Sequence, residues 1–157
     1  MITINDYDPR YQPHFESLNR VWIEKYFRME PRDEYVLTNP EEAIIQKGGT
    51  ILIALYDGSV AGVVALIKID NDTYEFSKMG VHEDFRRKGI AEALSYAAFK
   101  KVKALKGKKV ILFSNTLLEG AILLYRKLGF TEVPLDNANE YERSNIKMEM
   151  EIETNTQ

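Results

Sequence analysis

From Thr50 to Val81 the chain carries three β-rich runs joined by two short turns, with no room between them for a helix. Residues 50–56 form the first run. Asp57-Gly58 after it is a strong two-residue hairpin signal, because that turn needs residues that tolerate positive φ. Residues 60–69 make the second strand, Asn71-Asp72 the next turn and 73–81 the third strand. Such an antiparallel meander leaves two faces to be covered, so the flanking segments must supply the cover.

They do so in an alternating order. Residues 2–5 read as a short strand. Asp8 and Pro9 look like the N-cap and first residue of a helix whose apolar positions Phe15, Leu18, Val21, Trp22 and Tyr26 recur at helical spacing. Trp22 is expected in the core. A polar stretch with Arg28, Glu30, Arg32, Asp33 and Glu34 follows; Asn39-Pro40-Glu41-Glu42 then repeats the helix-start signal, and Gly48-Gly49 closes that helix. After the meander come a helix from about 90 to 106, a strand at 109–114, a helix at 118–128 ended by Gly129, and strands at 130–133 and 145–152. The last two are joined by a loop containing Asp136, Asn137 and Asn139. The order β-α-α-β-β-β-α-β-α-β-β predicts an α/β fold with a mixed sheet. A single domain over 1–153 with a frayed tail at 154–157 suits a length of 157 residues.

Composition narrows the function classes. There is no cysteine, which excludes disulfides, thiolate zinc sites, iron–sulfur clusters and a cysteine nucleophile. The two histidines, His14 and His82, form no ligand-spaced pair, so no metal is expected, and His82 reads as a loop residue. A net charge of −3 argues against a dedicated nucleic-acid or polybasic membrane binder. Lys100, Lys101, Lys103, Lys106, Lys108 and Lys109 read mainly as a solvated face. No apolar run approaches the roughly 18 residues of a membrane span, and the first residues lack a signal-peptide pattern; the cytoplasm is the expected compartment.

The third meander strand runs into Arg86-Arg87-Lys88-Gly89-Ile90-Ala91, immediately before a helix. The first N–H groups of a helix have no intrahelical partner, and the helix dipole adds partial positive charge there. Gly89 lets the backbone approach an anion, Ala91 keeps the first turn uncrowded, and three basic side chains stand nearby. This suits a pyrophosphate, although a basic loop that merely caps a helix has the same composition. It is neither a P-loop nor a dinucleotide fingerprint, since the required glycines are absent.

Here the sequence resembles the GCN5-related N-acetyltransferases. Arg86-x-x-Gly89-x-Ala91 matches that family's Q/R-x-x-G-x-G/A motif and stands between the fourth strand and the third helix, as it does in the family. Met79-Gly80-Val81 resembles the strand end that lines the pantetheine arm. Asn115, Ala121 and Leu124-Tyr125-x-x-Leu128-Gly129-Phe130 resemble the second conserved block. The resemblance is strongest over 50–133. Tyr141-x-Arg143-x-Asn145-Ile146-x-Met148 resembles the end of a bacterial branch whose members are mostly of undefined substrate.

The resemblance implies transfer of an acetyl group from acetyl-CoA to a primary amine of a small molecule or peptide. Without cysteine, direct attack in a ternary complex is expected. It implies Tyr125 as general acid, since a phenol of pKa about 10 is protonated at neutral pH and can donate to a sulfur leaving group. It implies Glu75, six residues before Val81, as general base; strand alternation would put Glu75, Ser77, Met79 and Val81 on one face. Glu75 and Met79 would lie about 13 Å apart, so the base would act through water. Met79, Gly80, Val81, Arg86, Arg87, Lys88, Gly89, Ile90, Ala91 and Asn115 would bind the cosubstrate. Asn115 could equally cap the following helix. Acceptor choice would fall to residues 26–40 and 134–145, where Tyr141 and Arg143 would lean over the amine. There Arg28, Arg32 and Arg143 suit a carboxylate, while Glu30, Asp33, Glu34 and Glu140 suit a cation. Two other readings stay open: a protein lysine or N-terminal acyltransferase, and a non-catalytic CoA-binding regulator. A homodimer could form if the final strand lay at a sheet edge.

Overall fold

The computed structural model describes residues 1–136 and 140–153; Asn137, Asn139 and the tail at 154–157 lie outside the described residues. The elements in chain order are β1 (Ile2–Asp6), α1 (Gln12–Tyr26), α2 (Pro31–Thr38), α3 (Pro40–Ala43), β2 (Thr50–Tyr56), β3 (Ser59–Lys68), β4 (Thr73–Val81), α4 (Ile90–Ala104), β5 (Lys109–Ser114), α5 (Glu119–Leu128), β6 (Thr131–Val133) and β7 (Ile146–Glu151). The seven strands form one sheet in the order β1-β2-β3-β4-β5-β7-β6, antiparallel except at β4–β5. The α/β reading and its mixed sheet hold.

Pleating sends alternate residues of the central strands to opposite faces. Leu52 and Ala54 of β2 join Leu94, Ala98, Val102 and Ile122 under α4 and α5. Ile51 and Ile53 join Phe15, Ile23, Val36 and Leu37 under the α1–α3 layer. The Asp57-Gly58 turn has φ of 48° and 87°, the positive pair that a two-residue hairpin needs.

Three expectations need correction. The second helix starts at Pro31, inside the stretch read as merely polar. Glu30 and Asp33 form a reciprocal capping box around it with Pro31 at the first turn, and Asn39-Pro40 begins only the short α3. On α1, the buried positions are Phe15, Leu18, Asn19 and Ile23, whereas Val21 and Tyr26 are exposed and Trp22 is half-buried. The apolar stripe therefore extends past the core onto a cleft wall. Finally, β7 is not an edge strand, because β5 and β6 pair with it on either side. The route to a dimer through that strand is closed.

Candidate active site

The parallel ladder between β4 and β5 joins Thr73–Glu75 to Lys109–Ile111 and goes no further. Beyond those residues the two strands part, and a cleft of about 510 Å³ opens between them. Phe76–Val81 of β4 form one wall and Leu112–Asn115 the other. A volume of this size is typical of small-molecule sites. The splay is caused within β4. Lys78 has φ of 53°, and the β3–β4 register slips by one residue there, with Val63 opposite Gly80 but Ala65 opposite Ser77. That is a β-bulge, which bends its strand and re-aims the side chains beyond it.

The bulge overturns the simple alternation. Met79 and Val81 pack with Tyr74 and Phe76 on the α4–α5 side of the sheet. Glu75 and Lys78 instead face the α2 side, where Lys78 meets Asp33 and Arg32 bears on Glu75. Glu75 therefore does not share a face with Met79 and Val81, although all three line the cleft. Gly80 is needed for a different reason from a turn: a Cβ there would lie 2.9 Å from the Leu18 carbonyl oxygen of α1. Helix and strand touch backbone to backbone at this point.

At one end of the cleft the chain leaves β4 through a short 3-10 turn, Glu83–Phe85, capped by the His82 ring, and reaches the basic loop. Arg87 and Gly89 adopt φ of 63° and 80°, so successive peptide groups curl before α4 begins at Ile90. A Cβ at Gly89 would meet nothing within 4 Å, which leaves that turn open to a ligand. Arg86 and Ala91 line the cleft directly. Lys88 lies over the Tyr56 ring, and the Ile90 side chain is buried in the core, so only its backbone N–H remains available to an anion.

Tyr125, on α5, lines the cleft. Its position follows from how that helix ends. Gly129, at φ of 109°, lets its N–H reach the Arg126 carbonyl and the Phe130 N–H reach the Tyr125 carbonyl, a Schellman ending. The accompanying apolar contact is between the Phe130 and Tyr125 rings, 5.8 Å apart. Phe76 closes on the same ring edge-on at 6.0 Å. Burial pushes the Tyr125 hydroxyl up to about 12, so it keeps its proton.

Glu75 is half-buried and makes no hydrogen bond or ion pair among the described residues. Burial raises its carboxyl to about 7, against the pull of Lys78. A carboxylate with that affinity takes up a proton readily near neutrality. Beside it lies a buried charge network. The Lys78 ammonium donates to Asp33 Oδ1 at 2.8 Å and to the Tyr141 hydroxyl at 3.0 Å. The Arg143 guanidinium holds both Asp33 oxygens, at 2.7 and 2.8 Å, and reaches Glu30 at 3.4 Å. Burial lowers the Lys78 ammonium, with Asp33 opposing. For Asp33, burial pushes the carboxyl up, but Arg143 and Lys78 together hold it below the ordinary range.

This network joins the two segments expected to choose the acceptor. Glu30 accepts the Glu142 N–H at 3.0 Å, and Arg28 pairs with Glu142 at 2.6 Å. Tyr141 and Arg143 do line the cleft, but both are tied to Asp33 or Lys78. Asn115 accepts the Leu117 N–H and donates to the Arg143 carbonyl, so it fixes the loop as well as lining the cleft. Trp22, expected in the core, lines the cleft beneath Arg143. Of the lysine run, Lys101 pairs with Asp6 and Lys109 with Glu149. Sequence reasoning missed Lys78, and it named Glu30 and Asp33 only as partners for an acceptor cation, whereas they pair with Arg143 and Lys78 of this chain. The capping box at Glu30-Pro31-Arg32-Asp33 was a readable signal for the acids. Nothing local signalled a bulge at Lys78.

The chain is similar to known proteins in sequence and in fold. The Acetyltransferase (GNAT) family model matches residues 15–130. The chain belongs to the GNAT family. Among solved structures, the GNAT acetyltransferase from Staphylococcus aureus superposes with a TM-score of 0.88 at 19% identity, covering 98% of this chain and 100% of that one. The GNAT phosphinothricin acetyltransferase from Sinorhizobium meliloti, solved with acetyl-CoA, gives 0.77 at 20% identity over 96% and 88%. In sequence, N-acetylaspartate synthetase from Danio rerio is 33% identical over 87 residues, which are 55% of this chain and 31% of that protein. The shared stretch thus spans about a third of that relative. No helix among the described residues is long and apolar enough to cross a membrane.

Proposed function

We propose that this GNAT domain transfers an acetyl group from acetyl-CoA to a primary amine by direct attack within a ternary complex. The observation that carries this is the splayed β4–β5 cleft. It is flanked by the open Gly89 turn and reaches both a protonated tyrosine and an unpaired carboxylate. The acetyl-CoA complex of the phosphinothricin acetyltransferase supports the choice of cosubstrate, and the N-acetylaspartate synthetases support an amine acceptor.

The Arg86–Ala91 loop suits the diphosphate: its N–H groups curl around an open space, and the start of α4 adds the positive end of a helix dipole. The backbone of Met79–Val81 and Asn115 lines the path of the pantetheine arm. Acetyl-CoA supplies an activated acetyl carbon and leaves as a thiol. Glu75 takes the proton of the ammonium through water, and the freed amine lone pair forms the new C–N bond. Tyr125 donates its proton to the departing sulfur as the C–S bond breaks, and the extra proton on the adduct nitrogen passes through water to the Tyr125 phenolate, which leaves a neutral amide and restores the phenol.

Acetyl-CoA should raise the melting temperature, whereas ATP or NAD should not match it; a hundredfold excess over Kd stabilises by about 2.7 kcal/mol. No shift at millimolar acetyl-CoA would sink the reading.

A further inference from the structure

The acceptor region has an unusual charge balance. The arginines there that could have held a substrate carboxylate all face acids of this chain: Arg143 faces Asp33 and Glu30, Arg28 faces Glu142 and Arg20 faces Glu34, while Arg32 stands 3.2 Å from Glu140, although its buried Nε makes no hydrogen bond. Lys78 is held by Asp33 and Tyr141. The acids that could have held several cations are occupied by the same contacts. Among the described residues that line the cleft, the charged side chains left without an ion pair include Glu75, partly buried at the Lys78–Tyr141 end, and Lys25 and Glu119, both exposed to water at its margin; of these, Glu75 is the carboxylate withdrawn from solvent.

The surface leading outward from there is aromatic and apolar. Arg143 lies 4.4 Å over the Tyr141 ring and 5.6 Å from the Trp22 ring. Trp22 meets Phe27 edge-on at 6.5 Å, and Phe27 meets Tyr26 at 6.5 Å. These rings all line the same cleft. At its rim, large apolar side chains are left uncovered: Val21 is 63% exposed, Leu117 59% and Tyr26 43%, on opposite sides of the opening. Lys25 lies at the same rim over the Tyr26 ring, exposed to water. Apolar area left open on both lips of a cleft is covered when an apolar ligand enters.

We infer that the acceptor is a monoamine on an apolar, ring-bearing body, its ammonium at Glu75 and its body along the Trp22–Phe27–Tyr26 wall, rather than a dicarboxylic amino acid or a polyamine. This deepens the acetyltransferase reading and rests on it. It also departs from the acceptor named in the N-acetylaspartate synthetases, whose match to this chain covers 55% of it.

The test uses the full chain, acetyl-CoA and thiol release with 2-phenylethylamine, tryptamine, L-aspartate and spermidine. The expected result is a kcat/KM for the aromatic amines about tenfold or more above the other two. Tyr26→Ala and Val21→Lys, both at exposed positions, should raise KM for 2-phenylethylamine severalfold and leave the acetyl-CoA melting shift intact. Preference for aspartate or spermidine overturns the inference. So does acetyl-CoA binding without turnover of either aromatic amine, or a rim variant that weakens acetyl-CoA instead of the amine. Absence of any acetyl-CoA shift would instead fell the acetyltransferase reading, so the two failures are separable.

Discussion

Glu75→Gln should make the protein more stable and less active, and the stability gain should depend on pH. Burial moves the Glu75 carboxyl from 4.5 to about 7 in the folded chain. At about 1.4 kcal/mol per pH unit, that difference corresponds to about 3 kcal/mol of unfavourable charge burial once the group is ionised. The sign follows from proton counts. Below pH 4.5 the carboxyl is neutral in both states. Between 4.5 and about 7 the unfolded chain releases a proton that the folded chain keeps, so stability falls as pH rises. Above that window the penalty is constant. Glutamine never carries it, so the variant should match wild type near pH 4 and exceed it at pH 8 by about 1–3 kcal/mol, or about 3–10 °C in Tm for a domain of this size. Urea melts at pH 4 and pH 8 measure the difference directly. In the same variant kcat should fall by about 10²–10⁴ near neutrality and recover at high pH, where the amine deprotonates itself. Wild-type kcat/KM should rise with pH up to about 7. A variant equally stable, or less stable, at pH 8 would refute the claim that Glu75 is an unpaired, half-buried carboxylate. A pH-independent loss of activity would refute its role as base.

Tyr125→Phe keeps the ring contacts with Phe76 and Phe130 and removes only the proton, so kcat should fall by about 10²–10⁴ with an unchanged acetyl-CoA melting shift; activity within twofold of wild type would make Tyr125 a packing residue. Asp33→Asn leaves Lys78 and Arg143 buried with too little counter-charge and should destabilise by about 3–5 kcal/mol in a denaturant melt. Gly80→Ala drives a methyl group into the Leu18 backbone and should cost about 1–3 kcal/mol, while a crystal structure would show α1 displaced from β4. Gly89→Glu places a carboxylate in the turn proposed to hold the diphosphate and should abolish the acetyl-CoA shift; because φ there is 80°, the side chain should also cost about 1–2 kcal/mol, which a melt without ligand reads separately.

The charge network also explains why acceptor choice could not be read from residue types. Arginines and acids in 28–34 and 140–143 suggested two opposite ligands. Folding pairs them with one another across more than 100 residues, as in Arg143–Asp33 and Arg28–Glu142. The pairing ties α2 to the β4 bulge through Lys78, so these charges neutralise one another within the fold.

Local patterns in the sequence determined the meander, its Asp57-Gly58 turn, the Gly89 loop ahead of α4 and the Gly129 ending that places Tyr125. Each depends on interactions within a few residues: positive φ, helix-end N–H groups and alternating burial. The strand order, the limited β4–β5 ladder, the bulge at Lys78 and the place of β7 between β5 and β6 were decided only in three dimensions. A bulge inserts one residue and reverses every side chain beyond it, so alternation counted from Glu75 set Met79 and Val81 on the wrong face. The α1 stripe misled for a related reason. Helical spacing marks an apolar face but does not say whether protein covers it, and on this helix Val21, Trp22 and Tyr26 face the cleft.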